Sequence, residues 1–412
     1  MTTPVNILFA ISDTGGGHRS AAVAIDAALQ ELSAHTVTSA MLDVLQATQF
    51  PLLRNAPRLY DHLSTRWLRL YDLTFQLTNG VRRVDVLSRL VYLQARRNIM
   101  QALRAFDPEL VVVTHPLVHR LVYAARRTYH LSFRIITVVT DLVSLHAAWT
   151  LPKVDLCLLP TDEAYQLMRQ RGMRSERLLR TGFPVHPKFA NYHHTPIEAR
   201  RELGVAEDLF TVLITSGGVG SGHIRELVLE LERIYPDKQF LVITGKNRSL
   251  YHELQAERCS SACHIYGFVH NMETFMAASD IVVTKAGPGT LMEALVMQRP
   301  VIVTEAVGAQ EQGNIDFVLN HELGFFCPTT ERIVDAISEL SNPDYYATTV
   351  ARMAGAVPRN GAEQIARILL HHLPRIHEPF DDKHERSQPS RPRHWRRALR
   401  YLRRGDHSRL YR

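Results

Sequence analysis

The chain is poor in cysteine, with only Cys157, Cys259, Cys263 and Cys327 in 412 residues. Four are too few for a disulfide framework, so a reducing compartment, the cytoplasm, is the expectation. Cys259 and Cys263 sit beside His264, but no second pair of ligands follows at zinc-site spacing, and no metal site is read there. No run of about 18 apolar residues occurs, which argues against a membrane-spanning helix. No charged n-region with a small-residue cleavage site precedes Val5, so no secretory leader is expected. The chain also lacks an Asp-x-Asp pair, an internal repeat of roughly 20–50 residues and any recognised nucleic-acid module.

What is present is ordinary in bulk and uneven in placement. Hydrophobic residues make up 45% and charged residues 22%, as expected of a globular protein long enough for two α/β domains. The net charge is +7, and it resides in the tail. Residues 375–412 carry twelve Lys/Arg against five Asp/Glu, while the remainder carries 36 of each sign.

Two glycine-rich turns stand far apart, each at the end of an apolar strand. Ser12-Asp13-Thr14-Gly15-Gly16-Gly17-His18-Arg19 follows Val5–Ile11, and Lys285-Ala286-Gly287-Pro288-Gly289-Thr290 follows Asp280–Thr284. A strand, then glycines, then a helix brings a helix N-terminus and backbone N–H groups against a ligand. One such turn in each half predicts two Rossmann-like, doubly wound α/β domains facing across a cleft. Strands are expected near 5–12, 36–43, 110–115, 134–140, 154–160 and 178–182, then near 210–216, 239–244, 263–267, 280–284, 300–304 and 324–327. The N-terminal domain is placed at 1–190 and the C-terminal domain at 196–372. Gly182–Val185 and Asn191–Pro196 read as the linker between them, and the last helix is expected to cross back onto the first domain.

Residues 50–104 interrupt the first domain. They hold ten arginines against Asp61, Asp72 and Asp85, interleaved with Tyr60, Trp67, Tyr71, Phe75 and Tyr92. Aromatics mixed with arginines suit a surface on anionic lipid, although an amphipathic core helix with a solvated face has the same composition. The 375–412 tail ends with Trp395, Leu399 and Leu402 on one helical stripe among arginines, a second candidate for the membrane surface or a disordered basic tail. Nucleic acid is not expected as a partner, because the rest of the chain is neutral.

The segment from Ser12 to Ala21 resembles the opening motif of the monogalactosyldiacylglycerol synthase and diacylglycerol glucosyltransferase group. Thr284–Glu293 and Gln310-Glu311-Gln312-Gly313-Asn314 resemble the same group's donor site, with Ala309 where the plant-type motif has glycine. The likeness runs over roughly residues 5–370. It implies the GT-B fold, an inverting hexosyltransferase and kinship with the enzyme that adds N-acetylglucosamine to lipid I. UDP-galactose or UDP-glucose would be the donor and diacylglycerol the acceptor, with no metal or other cofactor. The enzyme would lie on the cytoplasmic face of a membrane, in contact with anionic lipid, in an oligomeric state that the sequence leaves open.

The residues fit that chemistry. His18 is the expected base for the acceptor hydroxyl, since imidazole titrates near working pH, with Asp13 as the alternative or as the group that orients it. Gly16, Gly17, His115, Pro116 and the strand end Thr140-Asp141 are expected to line the acceptor side, with His146 and Trp149 following in a further loop. For the donor, Ser216, Gly217 and Gly218 offer a phosphate turn. Lys285, Gly287, Gly289 and Thr290 face the diphosphate at a helix start. By the resemblance, Glu293 bonds the ribose hydroxyls, Phe268 lies at the uracil position, Gln310 and Glu311 hold the sugar, and a turn at Gly313-Asn314 closes over it. Thr290-x-x-Glu293 also reads as a capping box. Three rivals remain: a transferase of N-acetylglucosamine to a polyprenyl-linked acceptor, a nicotinamide-dependent dehydrogenase with Asp43 as its only ribose-binding acid, and a non-catalytic UDP-sugar-binding membrane adaptor.

Overall fold

Unbroken runs of Val, Ile and Leu form strands that are covered on both faces, as parallel sheets require. The computed structural model describes residues 5–13, 16–46, 77–215, 224–257, 259–306 and 308–373, with Ala309 and Gln310 described in backbone only. The first sheet comprises β1 (Val5–Ile11), β2 (Val37–Asp43), β3 (Leu110–Val113), β4 (Arg134–Val138), β5 (Leu156–Leu159) and β6 (Leu178–Arg180), in the order β2-β1-β3-β4-β5-β6. The second comprises β7 (Thr211–Thr215), β8 (Gln239–Ile243), β9 (Cys263–Tyr266), β10 (Ile281–Thr284), β11 (Val301–Val303) and β12 (Gly324–Phe326), in the order β12-β11-β10-β7-β8-β9. Every pairing in both sheets is parallel. All twelve fall on the expected segments, and the fold is two doubly wound α/β sheets.

Six helices position the site: α1 (Gly16–Leu32), α2 (Val81–Phe106), α3 (Val118–Thr128), α4 (Pro288–Val296), α5 (Gly308–Asn320) and α6 (Gly361–His372). The last returns to the first sheet, where Ala362, Ile365, Ala366 and Leu369 share a core with Ile7, Phe9, Ile25 and Leu29. Of the segments read as a linker, Asn191, His193, His194 and Thr195 are exposed, whereas Gly182–Val185 joins the second core. Phe183, Val185 and Phe189 are buried there together with Leu142, because their apolar side chains have the flank of the second sheet to cover.

Residues 47–76 and 374–412 lie outside the described residues, and with them Tyr60, Trp67, Tyr71, Phe75 and the basic tail. Helix α2 buries Val84, Ser88, Tyr92, Ala95, Ile99 and Leu103 along one side. Tyr92 therefore faces the core, not a lipid surface, because it shares the helical stripe of Val84 and Ser88. The opposite side exposes aliphatic residues instead: Val86, Leu90 and Leu93 are each 59% exposed, at spacings i, i+4 and i+7. Arg82, Arg83, Arg89, Arg96 and Arg97 are exposed around them.

The two chain crossings between the sheets touch. Gly182 adopts φ +83°, and a Cβ on Gly361 would stand 2.2 Å from the Phe183 carbonyl oxygen. That oxygen belongs to the backbone and cannot swing away. Gly361→Ala is expected to lower stability by about 1–3 kcal/mol, the usual cost of overpacking. Gly355→Ala is the control: its Cβ would meet nothing within 4 Å, so it should be neutral or stabilising by up to about 1 kcal/mol. Urea midpoints of the two variants check this, and equal midpoints would refute the close crossing.

Candidate active site

Strand order reverses between β1 and β3 in one sheet and between β7 and β10 in the other. Loops leaving adjacent strands in opposite directions open a crevice at the strand C-termini, where α/β sheets bind ligands. The loops after β1, β3 and β4 gather at the first crevice, and α4 begins at the second.

The two glycine turns meet across the seam. A Cβ on Gly17 would stand 3.9 Å from Pro288 Cγ, and one on Gly289 would stand 3.9 Å from Ser20 Oγ. Gly16 starts α1 beside them. Farther along, a Cβ on Gly313 would be 2.5 Å from the Ser144 backbone nitrogen.

His18 lies in the first turn of α1. Its Nδ1 is 2.9 Å from Thr140 Oγ1, and its backbone carbonyl accepts a 2.9 Å hydrogen bond from the Thr114 hydroxyl. The His115 ring stands edge-on to it at 4.6 Å, and the Trp149 ring is 6.2 Å away. Burial pushes the His18 pKa down to about 4, so the ring is neutral at neutral pH. Burial also pushes His115 well down, with His18 and His119 adding to the effect. Pro116 is half-buried beside it.

Asp13 does not orient His18. Its carboxylate is held by the Arg19 guanidinium, Nε to Oδ1 at 2.5 Å and Nη2 to Oδ2 at 2.7 Å, and its backbone N–H donates to Asp43 at 3.0 Å. The hydroxyl of Thr140 takes the orienting place. The expectation that Asp13 orients His18 is corrected accordingly, since both of its oxygens are bound by Arg19. Asp43 is itself committed to the Asp13 and Gln46 backbone, which leaves no ribose-binding acid for a dehydrogenase.

Asp141 is 5% exposed and accepts the indole N–H of Trp149 at 2.6 Å. Its position is that of a side chain fixing the loop that carries Trp149. Two further residues hold the same loop. His119 Nε2 lies 2.7 Å from the Ala148 carbonyl and its Nδ1 3.3 Å from the Thr137 hydroxyl. Arg120 donates to Ala148, to Thr150 at 2.7 Å and to Asp85 of α2 at 2.8 Å. At the other end of the loop, His146 reaches Thr78 at 3.3 Å, and the Ala147 N–H reaches Asn79 at 2.8 Å. His119 and Arg120 were not singled out from the sequence, although the spacing His115-x-x-x-His119 was a signal.

On the donor side, α4 has Gly287 as its N-cap and Pro288 as its first residue, with no side-chain cap. The capping-box reading of Thr290-x-x-Glu293 fails because the helix has already begun two residues before Thr290. Thr290 is half-exposed in the first turn, and Glu293 lies in the second. Burial raises the Glu293 pKa to about 7, with Lys188 lowering it and Glu273 raising it. Lys285 pairs with Glu305 at 3.3 Å. Glu311 lies beside Gly287, where a Cβ would stand 3.8 Å from its Oε1. Phe268 is 42% exposed, with Lys246 Nζ 5.6 Å from its ring, so it is an accessible aromatic and no part of the core.

Gly313-Asn314 is not a turn. Both residues lie inside α5, where Asn314 is buried and donates to the Ala286 carbonyl at 2.8 Å. Asn314 thus shapes the loop before α4 from behind. Gln310 is in the first turn of α5, and Ser216, Gly217 and Gly218 lie outside the described residues.

Residues 18–185 match the family described as monogalactosyldiacylglycerol (MGDG) synthase, and residues 211–314 match the glycosyltransferase family 28 C-terminal domain. A probable monogalactosyldiacylglycerol synthase, chloroplastic, of Nicotiana tabacum is 30% identical over 82% of this chain and 65% of its own length. A probable monogalactosyldiacylglycerol synthase 2, chloroplastic, of Oryza sativa subsp. indica is 31% identical over 78% of this chain and 70% of its own length. This chain thus spans just under two thirds of the tobacco relative. Among solved structures, MurG of Acinetobacter baumannii has a TM-score of 0.61 at 15% identity, covering 89% of this chain and all of that one. The calicheamicin glycosyltransferase CalG4 also has a TM-score of 0.61, at 14% identity over 91% of this chain and all of its own. These likenesses show the GT-B fold. The cytoplasmic expectation is overturned: the relatives are chloroplastic proteins, and scarce cysteine indicates reducing conditions without saying which compartment supplies them. No helix among the described residues is long and apolar enough to cross a membrane.

The buried imidazoles predict acid sensitivity. Burial and the neighbouring Arg120 guanidinium hold the His119 pKa down at about 3, against about 6.5 for an unfolded chain. As pH falls below about 6.5 the unfolded state takes up protons first, so stability is full above that value and is lost progressively toward the folded pKa. Each such imidazole contributes a slope of up to about 1.4 kcal/mol per pH unit. Urea midpoints between pH 7.5 and 5 should fall with pH in the wild type and fall less steeply in His119→Gln. Parallel slopes would show that His119 is not a buried neutral ring.

Proposed function

The chain belongs to the monogalactosyldiacylglycerol synthase family, and we propose that it transfers galactose from UDP-galactose to the free hydroxyl of 1,2-diacylglycerol. The observation that carries this reading is the neutral His18, held by Thr140 at the seam opposite the N-terminus of α4. With Nδ1–H donated to Thr140, Nε2 carries the lone pair that accepts the acceptor's hydroxyl proton. The alcohol oxygen then attacks the anomeric carbon, the bond from that carbon to the β-phosphate oxygen breaks, and the product is a β-galactoside. UDP departs toward the first-turn N–H groups of α4, where the helix dipole favours the growing negative charge. Glu293 receives the ribose hydroxyls, Glu311 and Gln310 the sugar hydroxyls, and Phe268 lies beside the base. His115, Pro116 and Gly17 border the acceptor.

The acceptor is a lipid, and the aliphatic row of α2 fits contact with a membrane. Val86, Leu90 and Leu93 would enter the headgroup region while the arginines around them meet anionic lipid. Because Arg120 ties α2 to the loop bearing Trp149, such contact would place the bilayer next to the acceptor crevice.

Transfer from UDP-galactose onto diacylglycerol in anionic mixed micelles tests the activity, with UDP-glucose in parallel. His18→Ala should lower kcat by about 10²–10⁴-fold, the range for loss of a general base. In the wild type, kcat/KM should hold from pH 8 to about 5 and fall below that as His18 protonates near 4. UDP binding without glycolipid from either donor would refute the reading. For the surface, Leu90→Glu with Leu93→Glu should weaken binding to anionic vesicles at least tenfold and leave UDP affinity unchanged; undiminished vesicle binding would remove α2 from the contact.

A further inference from the structure

Two thiols and a carboxylate converge at the start of β9, away from every group the transfer reaction uses. Cys259 lies in the segment leading to the strand, Cys263 is its first residue, and Glu232 comes from the helix Ile224–Ile234. Their ligand atoms lie within 4.8 Å of one another, and all three residues are half-buried. Ser260 donates both its backbone N–H and its hydroxyl to Glu232 Oε1, at 2.8 Å each. Those bonds pin the carboxylate beside the two sulfurs, to which it is also hydrogen-bonded.

The cluster contains three acidic groups and no cation of its own. The neighbouring Arg225 is engaged by Glu257. The other cysteines differ: Cys157 and Cys327 are buried singly in separate cores, among apolar neighbours. Two sulfurs and one oxygen form a donor set for a borderline-soft divalent ion. Zinc–sulfur bonds of about 2.3 Å at tetrahedral angles place two thiolates roughly 3.8 Å apart, within the observed spread.

We propose that Cys259, Cys263 and Glu232 bind one zinc ion, with solvent as the fourth ligand. Binding displaces the two thiol protons to solvent and forms two Zn–S bonds and one Zn–O bond. His264 is not a ligand, since adjacent residues of a strand face opposite sides. The third donor comes from an earlier helix, beyond the reach of any local spacing rule. The ion staples that helix to β9, which among the described residues is an edge strand paired with β8. The helix follows the glycine segment 216–223, and β9 leads to Gly267 and Phe268. Loading therefore stiffens the frame that carries both stretches.

Cobalt titration of the reduced, full-length chain tests this without any assay of transfer. One Co²⁺ per chain should bind with a thiolate-to-cobalt charge-transfer band, be displaced by Zn²⁺, and release two protons. Cys259→Ser and Cys263→Ser should each abolish the band, and Glu232→Gln should weaken cobalt affinity at least tenfold. Cys259 is only partly buried, so its variant keeps the test intact if Cys263→Ser fails to fold. The absence of a band in the reduced wild type, or a band that survives in folded Cys259→Ser, overturns the proposal. So does a Cys259–Cys263 disulfide in the isolated chain that yields no cobalt band after reduction.

Discussion

The site depends on backbone approaching backbone where no side chain intervenes. Gly17 faces Pro288, Gly289 faces Ser20, and Gly313 lies against the Ser144 backbone, so the two sheets touch through three glycine positions around one crevice. At Gly313 a Cβ would collide at 2.5 Å, which explains a glycine in the middle of a helix where alanine is otherwise favoured by about 1 kcal/mol. The other two positions have room for a Cβ near van der Waals contact, so their absence of a side chain serves the crevice more than the packing. The proposed transfer needs that closeness, since a nucleotide sugar held by one half must meet an alcohol held by the other.

Closeness also sets the protonation states. Burial disfavours whichever form of a group is charged, so the same seam holds His18 neutral and draws Glu293 up to about 7. A neutral imidazole can accept a proton without first losing one. Glu293 is different, because half of it is already protonated near neutrality. In the proposed role, hydrogen bonds from ribose hydroxyls would favour its ionised form, which would couple nucleotide binding to proton release at that residue.

Much of this architecture is legible in the residues. Strands covered on both faces must be apolar throughout, so the runs at Leu110, Ile281 and Val301 stand out without any alternation to interpret. Glycines directly after such strands mark the crevices, and His18, His115 and Trp149 gather there as their places after β1, β3 and β4 imply. What was misread depended on partners distant in the chain or on which side of a helix a residue takes. Gly313 suggested a turn because glycine usually punctuates, yet here its cause is Ser144, in the other half. Asp13 suggested a partner for His18, yet Arg19, the next residue after that histidine, takes both its oxygens. Tyr92 suggested a surface aromatic from composition, and only its stripe with Val84 and Ser88 shows that it faces inward.

Arg120 explains how an accessory helix can bear on the chemistry. It is 5% exposed, and its desolvation is offset by the Asp85 carboxylate and by the carbonyls of Ala148 and Thr150. A guanidinium so enclosed is costly to strand, since a buried charge that loses a partner is left under-compensated. The α2 helix and the Trp149 loop are therefore hard to separate without breaking that cluster. Trp149 in turn donates to Asp141 and lies near His18. The exposed aliphatic row of α2 is thus linked to His18 through directional contacts. On the proposed reading, a surface of α2 that meets the bilayer would thereby help determine where the acceptor hydroxyl arrives.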